Sequence, residues 1–129
     1  MTKDEATKIL AIVTAAYPTY FKDTTIEAAK GMVALWAVQF VNTPADIVFL
    51  AVNKHINGSK YPPTICEIKK NISSLYWDAY TALHGAVKPT GELLKEYQRI
   101  YELTRPYKYD TSAPELSDML GASKYYLLE

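Results

Sequence analysis

The sequence predicts an all-α protein, a small bundle of five to six short helices. Three observations predict it. Capping residues recur: Thr2 with Glu5, Thr24 with Glu27, Thr64 with Glu67 and Ser112 with Glu115 each pair a hydroxyl with a carboxylate three residues on. Such a pair satisfies two N–H groups that a first helical turn leaves without partners. Apolar residues between the caps are spaced by threes and fours, the period of one helix face. No alternating strand pattern longer than a few residues interrupts them.

The elements follow in order. Thr2 opens a first helix with an apolar stripe of Ile9, Leu10, Ile12, Val13 and Ala16, and Tyr17-Pro18 ends it. Thr24 opens a second, carrying Ile26, Ala29, Val33, Trp36, Ala37 and Phe40, with Trp36 expected in the core. Thr43 caps a third, with Pro44 at the first helical position, where a missing N–H costs nothing. Ile47, Leu50, Ala51 and the stem of Lys54 follow on one face, and Asn57-Gly58 is a left-handed stop.

The stretch Lys60-Tyr61-Pro62-Pro63 must approach the next helix in extended form, because each proline disfavours α geometry in the residue before it. Thr64 then starts a fourth helix abruptly, and Pro63 and Ile68 occupy the hydrophobic-staple positions. Ile65, Ile68, Ile72, Leu75, Ala79, Leu83 and Ala86 carry that helix to about Val87. Ser73-Ser74 is its weakest point, where a division into two helices is the alternative. Lys88-Pro89-Thr90-Gly91 is a boundary. Leu93, Leu94, Tyr97, Ile100, Tyr101 and Thr104 make a fifth amphipathic helix, stopped before Pro106. Tyr107 to Thr111 reads as loop, and Leu116, Met119 and Leu120 as a short last helix ended by Gly121. The expected organisation is a helical bundle over 1–87 and a helical extension over 88–129, with Leu128-Glu129 matching the junction a C-terminal tag leaves.

Composition narrows the function classes. The 129 residues hold 14 basic and 14 acidic side chains, which cancel. Binding nucleic acid tightly and without sequence preference needs a basic excess, so weak or no direct nucleic-acid binding is expected, a local patch aside. The single cysteine, Cys66, cannot close an internal disulfide, which points to a reducing cytoplasm. No secretory leader pattern and no run of about 18 apolar residues is present, so no membrane role is expected.

Chemistry-bearing patterns are sparse. The five glycines are scattered, and none forms a phosphate-cradling loop, so no nucleotide should be bound or hydrolysed. His55 and His84 have no carboxylate or cysteine at ligand spacing and read as ordinary surface or half-buried histidines; no metal, cofactor or catalytic residue is expected. Cys66 lies in a first helical turn, where the dipole lowers a thiol pKa, but no partner for a nucleophile is signalled. Lys54, His55, Lys60, Lys69 and Lys70 form the densest basic zone, around the Pro-Pro elbow. Lys54, Lys60, Lys69 and Lys70 suit a phosphate or an acidic partner surface; equally they suit a solvated helix end. The last third is rich in tyrosine: Tyr97, Tyr101, Tyr107, Tyr109, Tyr125 and Tyr126. Leu93, Tyr97, Ile100 and Tyr101 cluster within two turns, either as a partner-binding patch or as a face packed on the bundle.

Several pieces together resemble a known family. They are Thr2-Lys3-Asp4-Glu5 with Ile9-Leu10; Ala15-Ala16-Tyr17-Pro18 with Tyr20-Phe21; Leu35-Trp36-Ala37; Thr43-Pro44-Ala45-Asp46 with Ala51-Val52; and Lys60-Tyr61-Pro62-Pro63-Thr64-Ile65-Cys66-Glu67-Ile68. In order and spacing this resembles the phage replicative-helicase loader/inhibitor family, over about the first 75 residues. The resemblance implies a small helical N-terminal domain without ATPase activity. It implies a protein that binds the host's hexameric replicative helicase in the bacterial cytoplasm, holds it inactive, and delivers it to an origin marked by a phage initiator. In the best-known type a flexible C-terminal part engages the helicase. Residues after Thr90 depart from that pattern, since they read as amphipathic helix. The family has no catalytic residues to carry over. The alternative reading is a DNA-binding or transcription-regulatory helical domain, with the third and fourth helices as a helix-turn-helix-like unit presenting Lys69 and Lys70. Its weakness is the long connection from Asn57 to Pro63.

Overall fold

The computed structural model describes residues 1–110, whose regular structure is entirely helical, with no strand among them. The short last helix expected around Leu116, the tyrosines at 125 and 126 and the terminal Leu128-Glu129 lie outside the described residues. The helices are α1 (Lys3–Ala16), α2 (Pro18–Phe21), α3 (Ile26–Gln39), α4 (Ala45–Gly58), α5 (Ile65–His84) and α6 (Gly91–Thr104), followed by a 3-10 turn, Arg105–Tyr107. The chain forms two compact units, Met1–Ile72 and a second starting at Ser73.

In the first unit, α1 begins with the expected capping box. The Glu5 N–H donates to Thr2 Oγ1 at 3.2 Å, and the Thr2 N–H donates to Glu5 Oε1 at 2.9 Å. Ala6, Ile9, Leu10 and Val13 turn inward, while Ile12 and Ala16 face solvent. α1 packs on both α3 and α4. Phe40, Ile47, Val48, Ala51, Val52, Ile68 and Ile72 are fully buried and make the centre of this core. Trp36 is 5% exposed, with its ring 5.7 Å from that of Phe40. The Met1 amino group donates to the carbonyls of Phe40 and Thr43, both at 2.7 Å, and so supplies donors where α3 runs out.

Several local expectations shift. The cap of α3 is Thr25, not Thr24: Thr25 Oγ1 accepts the Ala28 N–H at 3.1 Å. Ile26 is therefore the first helical residue, and it stands 74% exposed. Pro44 lies just outside α4, with ψ at 143°, and its carbonyl accepts the N–H groups of Ile47 and Val48. Gly58 stays within α4, which stops at an extended Ser59; among the described glycines only Gly91 has a positive φ. Tyr17-Pro18 does end α1, but Pro18 at once starts the single turn of α2, too short to show any period.

In the second unit, the later part of α5 supplies Tyr76, Ala79 and Tyr80, all buried. α5 is unbroken through Ser73-Ser74 and ends at His84, leaving Ala86 and Val87 outside it. The Tyr101 ring from α6 stacks on Tyr76, centroids 5.1 Å apart at 23°. Trp77 Nε1–H donates to the Lys108 carbonyl at 3.1 Å, which ties the residue after the 3-10 turn to α5.

Candidate partner-binding surfaces

The elbow between α4 and α5 is built from the proline-rich connection upward. At its end the Glu67 N–H donates to Thr64 Oγ1 at 3.2 Å, and the Thr64 N–H donates to Glu67 Oε1 at 3.1 Å, the reciprocal box expected there. Thr64 Oγ1–H also donates to Glu67 Oε1, at 3.1 Å. The Thr64 N–H is the main reason the Glu67 carboxyl is held below its ordinary value of 4.5.

Buried side chains hold the connection from beneath. His55 Nε2 lies 2.7 Å from the Tyr61 carbonyl, so that nitrogen carries a proton and donates. Its Nδ1 faces Glu67 Oε2 at 3.9 Å. The buried Tyr17 hydroxyl donates to the Ser59 carbonyl at 2.8 Å. Burial, with the Glu67 charge beside it, raises the Tyr17 phenol above its ordinary value. Ser59 Oγ in turn accepts the Tyr61 N–H at 3.2 Å. His55 is thus a structural hydrogen-bond donor within the α4 core face. His84, the other histidine, stacks on Tyr80 at 4.3 Å, with Nδ1 2.9 Å from the Tyr80 carbonyl.

The basic residues split. Lys54, Lys60 and Lys70 are exposed, whereas Lys69 Nζ donates to Gln39 Oε1 at 2.9 Å and ties α5 to α3. Lys60 Nζ sits 5.4 Å from the centroid of the Tyr61 ring. The connection occupies residues 59–64. That is longer than the three- or four-residue turn of a helix-turn-helix, and its prolines set a different geometry. Cys66 is exposed as a free thiol. Among the described residues no group of three or more His, Cys, Asp or Glu side chains is placed to hold a metal ion. Among them, too, no helix is long and apolar enough to cross a membrane.

The α6 residues divide as well. Leu93 is 56% exposed, while Tyr97, Ile100 and Tyr101 are half-buried. Tyr101 lies among Tyr76, Tyr80 and His84, and Thr104, one turn on, is fully buried. Sequence reasoning missed the ring cluster on α5, although Tyr76, Tyr80 and His84 at intervals of four were there to be read. It also missed the pairing of Tyr20 with Tyr61, which no local spacing signals.

A family model for the N-terminal domain of a phage helicase loader/inhibitor matches residues 1–69. This chain belongs to the phage helicase loader/inhibitor family. The match covers α1 to α4, the elbow and the first turn of α5, nearly the whole of the first compact unit. It includes every residue of the elbow network, so the loader/inhibitor domain contains both the buried support and the exposed rings above it. No curated protein and no solved structure matches the chain.

Proposed function

We propose that this protein is a phage DNA-replication accessory factor that binds the host's hexameric replicative helicase, holds it inactive and delivers it to the origin. The observation that carries this reading is the loader/inhibitor-family match over the first unit. Such a role needs surfaces and no chemistry. A loader must bind one helicase state better than another and release when a competing partner, such as an origin-bound initiator, takes over. On this reading the protein has no catalytic activity of its own and works in the host cytoplasm. Its neutral net charge suits a protein partner better than bare DNA.

The contact is assigned to α6. Leu93, one turn before Tyr97 and two before Ile100 and Tyr101, offers an exposed aliphatic anchor beside half-buried rings. Tyr101 contributes mainly by holding α6 on Tyr76. The test is co-elution of the purified protein with the host helicase hexamer on size exclusion, together with the helicase's ATPase rate. A stable complex with a reduced rate is expected. Leu93→Glu should weaken that complex about tenfold or more while leaving the circular dichroism unchanged, the usual effect of charging a buried interface anchor. Failure of the wild-type protein to bind the hexamer overturns the function. Full binding by Leu93→Glu overturns the assignment to α6 alone.

A further inference from the structure

Tyr20 and Tyr61 are each 55% exposed, and their rings meet edge-on, centroids 6.1 Å apart at 72°. The two rings belong to segments far apart in sequence, α2 and the α4–α5 connection. The backbone under Tyr61 is fastened by its carbonyl to buried His55 and by its N–H to Ser59, whose own carbonyl accepts from buried Tyr17. Pro62 and Pro63 stiffen the next two residues. A loop held this firmly presents its aromatic ring to solvent with little left to lose in conformational entropy on binding.

Charge decides the kind of partner. Lys60 Nζ stands over the Tyr61 ring, and Lys70 is exposed on α5. The nearby acid, Glu67, accepts from both the backbone and the hydroxyl of Thr64, faces His55 and feels the charge of Lys70, so although its side chain is 46% exposed its carboxylate is largely engaged within the elbow. What remains outward is a pair of half-exposed aromatic rings in edge-to-face contact, with a flexible lysine ammonium over one face of Tyr61 that a base can displace toward a phosphate. Flat π-faces and negative charge alternate in single-stranded nucleic acid, where each base can stack and each phosphate can meet a cation. A duplex hides its base faces. An acidic peptide uses the cation and leaves the rings idle.

We propose that Tyr20, Lys60 and Tyr61 form a contact site for single-stranded nucleic acid, with bases stacking on the two rings and a phosphate on Lys60. The site goes beyond the helicase reading and does not depend on it. The balanced net charge makes it a weak contact that engages one or two phosphates.

The test is fluorescence anisotropy of a labelled 15-mer oligo-dT titrated with the full chain, without helicase. Saturable binding in the range of about 10 to 100 μM at low salt is expected, the weak end for a stacking site with few phosphate contacts. A tenfold rise in salt should weaken it about fivefold for each phosphate contacted. Tyr20→Ala and Tyr61→Ala should each weaken binding about tenfold, Tyr61→Trp should retain it, and Lys60→Ala should flatten the salt dependence. Circular dichroism checks that each variant is folded; Tyr61→Trp and Lys60→Ala leave the elbow's backbone bonds in place and carry the test if an alanine variant is not. Four results overturn the proposal: no binding at 500 μM, equal affinity for duplex of the same length, full competition by poly-glutamate at equal charge, or unchanged affinity and salt dependence in folded Tyr20→Ala, Tyr61→Ala and Lys60→Ala.

Discussion

Thr64 shows how much one side chain can decide. Its Oγ1 accepts the Glu67 N–H and its own N–H is taken by Glu67, so two groups that the start of α5 would leave unpaired are satisfied within four residues. Thr64→Ala removes one of them and should cost about 1 kcal/mol, measured by urea unfolding. Glu67 adds a pH dependence with a definite sign. Its folded-state pKa is depressed, chiefly by the Thr64 N–H, so its stabilisation is complete above the ordinary value of 4.5. It is lost as pH falls through the lowered folded value. In Glu67→Gln the acid-side decline of the melting temperature below pH 4.5 should be shallower than in wild type. Identical profiles for the two proteins would remove Glu67 from the acid response. Both roles were legible in the sequence, because a capping box is defined by two residues three apart. His55 was not. Its partner is the Tyr61 carbonyl, and only the turn of the connection brings that oxygen within 2.7 Å.

At the scale of elements, α3 is the instructive case. Its sequence is apolar on nearly every side, and the three-and-four spacing picks out the correct inward residues in its second half but not at its start, where Ile26 and Ala29 are exposed. Trp36, Ala37 and Phe40 are buried, whereas Ile26, Leu35 and Val38 are exposed. Trp36→Ala should cost about 3–5 kcal/mol, the usual penalty for removing a large core ring. The check is urea denaturation, with Trp36→Phe expected to recover much of the loss; wild-type-like stability in Trp36→Ala would show that the ring is not part of the core. α5 makes a different point. Two serines in succession are poor helix formers, and they mark the place where a break was the alternative. Ser73 is fully buried and Ser74 half-buried, and the helix runs on to His84. Packing of Ile68, Ile72, Tyr76 and Tyr80 outweighs the weak local preference.

For the whole molecule, the family match ends at residue 69 and the first compact unit at Ile72. Beyond it lie the ring cluster of α5 and the helix α6. The absence of a phosphate-cradling glycine loop carries a prediction for the entire chain: the purified protein should release no phosphate from ATP above the buffer rate, with or without magnesium. Turnover that co-purifies with the protein and survives removal of any helicase would contradict it. On the proposed function, ATP consumption in the assembled complex would belong to the helicase, with this protein acting on it through differential binding.

The sequence by itself determined the all-α class, the capping boxes at Thr2 and Thr64, the presence of α1, α4 and α6 as helices, and the family. Each of these rests on interactions or patterns within a few residues, or on their order along the chain. On α4 the spacing names Ile47 and Ala51 as core but takes Leu50 and Lys54 where the structure buries Val48, Val52 and His55. The tertiary structure decided that the start of α3 stands exposed at Ile26, that Lys69 is bound to Gln39 while Lys60 faces outward, and that Tyr101 stacks while Leu93 is exposed. It also decided that Tyr20 meets Tyr61 and that Tyr17 holds the carbonyl of Ser59, 42 residues away. The reason is physical. A helix cap is closed by neighbours whose positions the backbone geometry dictates, whereas burial, ring stacking and long-range hydrogen bonds require a partner that arrives only when distant segments pack.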